Sequence, residues 1–355
     1  MNTSMNTSYT LEQEDYDEFV RSGIPITAFL ILSCIFGTIG NVHVFLVYLL
    51  RYKANMYKKL VLCLTAVDFV GCTFCIPASL YIIRNIYSVQ SSVFCKLYFA
   101  TMNLVGTLSL VLLNGIAVER YRKICQKTPT HFSQRTTRVF CGLILVAMIT
   151  LFFIPSFFMF GINQETTKVH SLPSYRCAVS NHLRNSTFVH VYGGFLLLSF
   201  LINLTISIVS YILIGRRIYI HQKNNMAISP QTTSLKDTAR DTAVSSIPNT
   251  MNERKRKKLD KSRNTIKVFL VVSMISFGVY LPYLLTAVIR NVNQRLYQNF
   301  IANYGPLPYF ITWMIFLNNA INPLVYGFMD KKFRQELSAL YIQMKLCCFA
   351  CCRRG

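Results

Sequence analysis

The chain has 355 residues, of which 52% are hydrophobic and 14% charged, with a mean hydropathy of +0.37 and a formal net charge of +23. Soluble domains carry about 25% charged residues, and here the apolar residues arrive in blocks of more than 20, which excludes a water-soluble globule. The basic excess would suit nucleic acid, but its placement along the chain argues for membrane topology instead, as the spans show.

The amino-terminal segment, 1–24, is polar and acidic, with Glu12, Glu14, Asp15, Asp17 and Glu18 around Tyr16. It has no apolar stretch of the kind a cleavable signal needs, and its composition predicts an extracellular disordered arm. Such an arm either captures basic ligands, aided by sulfation of Tyr16, or serves as a solubilising tail, and the tail is favoured. Seven runs follow that can each cross about 30 Å of hydrocarbon as a helix. They cover 25–50, 60–83, 97–118, 139–161, 190–214, 266–289 and 304–329. None shows the alternating pattern of barrel strands, so the fold class is an all-α membrane protein, a seven-helix bundle over 25–329.

With the amino terminus outside, 29 of the 37 Lys and Arg fall in the cytoplasmic segments 51–59, 120–138, 216–267 and 331–355. This is the positive-inside asymmetry of a multi-pass plasma-membrane protein, and it makes lipid headgroups the partner of the basic segments rather than nucleic acid. Glycosylation sequons at Asn2, Asn6 and Asn185 lie outside in this topology, while the triplet at Asn203 is inside span 5. The third cytoplasmic loop, 216–265, is rich in Ser, Thr and Asn and ends in a basic run, a surface for an intracellular partner or for anionic lipid. The carboxyl-terminal segment 330–355 opens with Phe333 and Leu337 four residues apart, the spacing of a short amphipathic helix on the membrane surface. Cys347, Cys348, Cys351 and Cys352 follow; zinc is one reading, but adjacent pairs this near a membrane favour palmitoylation.

Of the 12 cysteines, only Cys95, at the outer start of span 3, and Cys177, between spans 4 and 5, meet the oxidising compartment, so topology alone predicts their disulfide. Inside the spans, Asp68 is the costly residue, since a charge at mid-bilayer costs about 3 kcal/mol even on the lenient insertion scale. Asn41, Ser109, Asn318, Asn319 and Asn322 lie at matching depth. They form either a hydrogen-bonded glue between helices or a hydrated pocket for a hard cation such as sodium. No cofactor is otherwise expected. Glu119-Arg120-Tyr121 closes span 3, and Asn322-Pro323-Leu324-Val325-Tyr326 puts a helix-distorting proline in span 7.

These features in this order resemble the rhodopsin-like (class A) family of G-protein-coupled receptors over about 25–340. The matches are Gly40-Asn41, Leu64 with Asp68, Cys95 with Cys177, Glu119-Arg120-Tyr121, Tyr211, Pro282 and Asn322-Pro323-Leu324-Val325-Tyr326. The resemblance implies a receptor that senses an extracellular ligand and drives nucleotide exchange on a heterotrimeric G protein. It also implies that Glu119 holds Arg120 at rest and that Arg120 swings toward Tyr211 and Tyr326 when span 6 moves outward. Asp68, Ser109, Asn318 and Asn322 match the family's sodium positions. The sequence departs from the family in the relay: Asn203 stands for the span 5 proline, Ser276 for the span 6 phenylalanine and Tyr280 for the span 6 tryptophan. Ser262 replaces the usual acid at the inner end of span 6, which predicts a loose resting lock and measurable basal signalling.

For the ligand, Met102 stands where amine receptors have an acid, and Phe316 where light receptors have a lysine, so both chemistries are excluded. Arg84, Lys96, Lys168, Arg176, Arg184, Arg290 and Arg295 rim the outer face, which favours an anionic group. The acidic arm and aromatics such as Tyr309 suit a peptide. The expected ligand is a neuropeptide contacting Arg84, Met102, Arg176, Arg290 and Tyr309. The alternatives are a nucleotide or small carboxylate, or a decoy receptor of the same fold. Catalytic motifs are lacking, and the expectation is a receptor rather than an enzyme.

Overall fold

The computed structural model describes residues 10–125, 134–167, 171–184, 186–234, 247–292, 294–304 and 307–352. Among the described residues, six helices are long and apolar enough to cross a membrane. They are α1 (Leu11–Arg51), α2 (Met56–Arg84), α3 (Ser92–Cys125), α4 (Gln134–Met148, continued by a π turn into Ile154–Met159), α5 (Thr187–Ser234) and α6 (Ile247–Val292). After the short α7 (Gln294–Tyr304) comes α8, the seventh span. It is broken into Leu307–Trp313 and Leu317–Met329 by a 3-10 turn at Met314–Phe316. The last helix, α9, runs Lys331–Cys352.

Proline explains the irregular turns. The π turns at Phe19–Gly23, Gly71–Cys75 and Ile149–Phe153 each come just before Pro25, Pro77 or Pro155. A ring with no N–H leaves a carbonyl of the previous turn unpaired, and a widened turn accommodates it. Caps set the starts. Asn55 accepts the Lys58 amide at 2.8 Å to open α2, and Asp330 accepts the amides of Lys332 and Phe333 at 2.9 and 3.1 Å to open α9. Gly40 sits where any Cβ would collide with Pro323, so α1 and α8 meet through a small residue.

Three departures from the sequence reading stand out. The arm expected to be disordered over 1–24 is helical from Leu11, opened by a capping box between Thr10 and Gln13; residues 1–9 lie outside the described residues. Its acids are not all solvated, since Asp15 is buried against the loop after α2 and Glu18 pairs with Arg21. The tail helix is not short but 22 residues long. It is held on α1 by Arg51, which reaches Glu336 at 3.1 Å, and by His43 bonded to Tyr341. The helices α5 and α6 also continue into the segment expected as a loop, to Ser234 and from Ile247.

Between α4 and α5 a hairpin forms from β1 (Phe160–Thr166) and β2 (Pro173–Val179), antiparallel with Ile162 opposite Cys177. Tyr175 of β2 also pairs with the loop after α2, where its amide donates to Tyr87 O at 2.7 Å and its carbonyl accepts from Val89 N at 3.0 Å.

Among the described residues the core divides into two large apolar clusters and a small third one of Met159, Val189 and Tyr192. One large cluster gathers Leu30, Cys72, Val105, Tyr280 and Phe316; the other gathers Val44, Leu64, Leu113, Phe269 and Tyr326. On α1, α2 and α8 the polar residues Asn41, Asp68, Asn318 and Asn322 lie between the two large clusters in chain position, and on α3 Ser109 precedes Leu110, the last residue of the first cluster there. Outward faces are apolar instead, with Leu32, Phe36, Leu143, Val146, Leu198 and Ile202 exposed, as lipid-facing surfaces should be.

Candidate functional site

Cys95 and Cys177 form a disulfide with a Cα separation of 5.4 Å. It fastens β2 to the start of α3 and so lays the hairpin over one end of the bundle. The Phe99 ring stacks on Phe160 at 4.0 Å, which fixes the other strand to α3 as well.

Beneath the hairpin end lies a cavity of about 10 Å³, lined by Cys75, Met102, Val105, Gly106, Tyr280, Ile315, Phe316 and Asn319. That is room for about one water. Tyr280 fills the rest, because Gly106 lacks the Cβ that its hydroxyl would strike. The sequence singled out Tyr280 but gave no sign of Gly106, whose only signal was a glycine inside a helix.

The candidate ligand residues do not converge. Met102 lines the cavity, but Arg84 lies 5.7 and 5.6 Å from the ring centroids of Tyr16 and Phe19. Arg176 lies over Tyr87 at 5.4 Å, Arg184 pairs with Glu165 at 3.0 Å, and Arg290 is exposed near the end of α6. The Tyr309 side chain is outside the described residues, as are Lys168 and the sequons at Asn2, Asn6 and Asn185.

In the polar middle, Asp68 is fully buried and accepts from Asn322 Nδ2 at 2.5 Å and Ser109 Oγ at 3.2 Å. Asn318 Nδ2 donates to Ser109 Oγ at 3.0 Å. The amide oxygens of Asn318 and Asn322 are buried without a hydrogen-bond partner. Buried polar atoms are normally paired, so a carboxylate, a hydroxyl and two unpaired amide oxygens fit a hard cation such as sodium.

A second buried network joins α3 to α5. Asn114 Nδ2 donates to Asn203 Oδ1 at 2.6 Å, and Ser207 Oγ donates to Asn114 Oδ1 at 2.5 Å. Asn203 thus fills its unusual position with one hydrogen bond across helices, from Asn114, and one to Ser199 O of its own helix. Asn114 was not among the sequence candidates, since an Asn in a span gives no hint of its partner.

At the opposite end of the bundle from the disulfide, the expected pairing of Glu119 with Arg120 is absent. Glu119 Oε1 takes Lys123 Nζ at 3.0 Å, one turn on along α3. The Arg120 guanidinium instead lies 3.7 Å from the centroid of the Tyr57 ring. Adjacent side chains on a helix diverge, whereas i,i+4 neighbours share a face, which is why the acid prefers the lysine. Tyr211 bonds Ser273 at 3.2 Å, and the Tyr326 hydroxyl is buried without a partner. Tyr121, Pro282 and Pro323 lie on α3, α6 and α8 as their motifs require, and the four tail cysteines fall in α9 with side chains outside the described residues.

Comparison with known proteins agrees with this geometry. The family model described as "7 transmembrane receptor (rhodopsin family)" matches residues 40–326. Neuropeptide Y receptor type 6 of Mus musculus is 23% identical over 353 residues, covering 95% of this chain and 85% of that protein. Neuropeptide FF receptor 1 of Rattus norvegicus is 23% identical, covering 97% and 76%. The thyrotropin-releasing hormone receptor of Gallus gallus is 25% identical, covering 91% and 80%.

Proposed function

The chain belongs to the rhodopsin family of seven-transmembrane receptors, and we propose that an extracellular neuropeptide drives it to promote nucleotide exchange on a heterotrimeric G protein. It is a receptor, not an enzyme. The observation that carries the peptide reading is similarity over more than 90% of the chain to receptors named for neuropeptide Y, neuropeptide FF and thyrotropin-releasing hormone.

The hairpin end faces outward, with the amino terminus, and the end carrying Arg120 faces the cytosol. A hairpin pinned by Cys95–Cys177 and bordered by Tyr81 and Tyr175, each exposed, offers an aromatic, hydrogen-bonding rim of the kind an extended peptide uses. A small anionic ligand has less to support it, because Arg84, Arg176 and Arg184 already face aromatic rings or Glu165. Sodium at Asp68 acts as an allosteric modulator, held by Ser109, Asn318 and Asn322 and favouring the resting arrangement. Palmitoyl chains on the tail cysteines fasten α9 to the inner leaflet.

The test is G-protein activation in cells expressing the chain, exposed to tissue extract before and after protease digestion. A response that protease abolishes supports the peptide reading. One that survives digestion assigns the site to a small molecule.

A further inference from the structure

We propose that Tyr57 is a positioning residue that restrains Arg120 in the resting receptor by presenting the face of its ring to the guanidinium, the role the neighbouring acid Glu119 does not fill. The inference rests on the proposed function, with the end of the bundle that carries Arg120 facing the cytosol and Arg120 swinging free when α6 moves outward.

The geometry separates the two candidates for restraint. Glu119 is committed to Lys123 at 3.0 Å. Arg120 has its guanidinium carbon 3.7 Å from the Tyr57 centroid, inside the roughly 6 Å limit for a cation–π contact. The Arg120 Nε is buried and makes no hydrogen bond, so at that nitrogen the ring face replaces a hydrogen-bond acceptor. Where water is excluded such a contact strengthens, because the lower dielectric screens the attraction between cation and ring less.

Tyr57 is itself held rigidly. It is buried, sits at the second residue of α2 after the Asn55 cap, and its hydroxyl meets that of Tyr48 at 2.9 Å. Tyr48 in turn stacks on Tyr52 at 4.2 Å, and Lys332 of α9 lies over Tyr52 at 4.0 Å. The ring that faces Arg120 is therefore part of the junction of α1, α2 and α9.

The same ring touches the element that moves. It meets Phe269 of α6 in an edge-to-face pair, with centroids 5.6 Å apart and ring planes at 87°, and Phe269 also packs on Tyr326 of α8 at 5.5 Å. An outward shift of α6 withdraws Phe269 and loosens Tyr57, and Arg120 is released with it. Two groups gain from release: the Arg120 Nε and the Tyr326 hydroxyl are both buried and unpaired in this arrangement. Unsatisfied polar atoms carry a desolvation cost, so the restraint holds one of two closely balanced states, as a switch requires.

The experiment uses the full-length receptor in lipid nanodiscs, as wild type, Tyr57→Leu, Tyr57→Phe and Tyr48→Phe. Two quantities are read: basal nucleotide exchange on a panel of purified heterotrimers, and amide hydrogen exchange at the inner ends of α3 and α6. Tyr57→Leu is expected to raise basal nucleotide exchange about fivefold to thirtyfold, the range a lost buried cation–π contact allows, and to speed amide exchange around Phe269. Tyr57→Phe keeps the ring face and raises exchange far less than Tyr57→Leu, and Tyr48→Phe, which removes only the hydroxyl bond, reads the share that this bond contributes. Where Tyr57→Leu does not reach the membrane, Tyr57→Met, closer in volume, takes its place. Amide exchange unchanged by loss of the ring, or a Tyr57→Phe receptor as active as the aliphatic variant, overturns the proposal. If no heterotrimer responds to any form while amide exchange still separates the aliphatic variant from Tyr57→Phe, the restraint stands and the G-protein reading is what fails.

Discussion

Asp15 accepts the backbone amide of Tyr87 at 2.7 Å, and its other carboxylate oxygen takes the hydroxyl of Ser88. One acid thus ties the amino-terminal helix to the loop after α2, and that loop is bonded through Tyr175 to the strand that carries Cys177. The arm, the loop and the hairpin form one connected surface over the ligand end.

This contact is pH-sensitive. Burial raises the Asp15 carboxyl above its usual value, outweighing the lowering by its bonds to Ser88 and Tyr87 and by Arg84, while Glu14 adds to the rise. A group whose docked value is raised binds its proton more tightly when docked. Docking is therefore strongest below the free value of about 3.9 and weakens as pH climbs through the raised one. The protection factor of the Tyr87 amide, which takes out the intrinsic base catalysis of exchange, should be greater below that raised value than above it. Asp15→Asn, neutral throughout, should remove that difference.

The Cys95–Cys177 bridge spans a sequence separation of 82 residues and is the covalent tie between hairpin and bundle. Cys177→Ser should lower the thermal midpoint of the purified receptor and cut the response to a peptide agonist at least tenfold in potency. Equal loss in a Cys95→Ser, Cys177→Ser double variant would show that the bridge, not a free thiol, is responsible, since one interaction is counted once.

Asp68→Asn removes the charge that the unpaired oxygens of Asn318 and Asn322 accompany. Sodium should raise the thermal midpoint and lower basal activity of the wild type relative to a large organic cation at equal ionic strength. Both sodium effects should vanish in the variant.

Asn203→Leu strips the acceptor from Asn114 Nδ2. A buried donor left unpaired costs about 1 to 3 kcal/mol, so thermal stability should fall. Combining it with Asn114→Leu should cost less than the sum of the two single changes, because both partners are then apolar. Additive losses would mean that the two amides do not act as a pair.

The seven spans, the cysteine pair and the Asp68 layer were legible because each follows from a local rule: a run long enough to cross lipid, a count of cysteines in the oxidising compartment, a charge too costly to be idle. The helical arm was not legible. Its acids look solvated in the sequence, and only the amide of Tyr87, 72 residues away, explains why Asp15 is buried. The pairing at Arg120 was not legible either, since the family resemblance implied Glu119 while the fold brought Tyr57 from another helix. The convergence of the arginines failed as well. A rim charge reads as a free anion site until the ring of Tyr16, Phe19 or Tyr87 beneath it is seen.

The most direct test of the account is nucleotide exchange on purified heterotrimeric G proteins by the receptor in nanodiscs, with an active peptide fraction added, beside the Arg120→Ala variant. The account predicts exchange that the peptide accelerates in the wild type and that Arg120→Ala abolishes, with peptide binding retained. Peptide binding without any exchange in the wild type would contradict it, and would make this chain a receptor that captures its ligand without signalling.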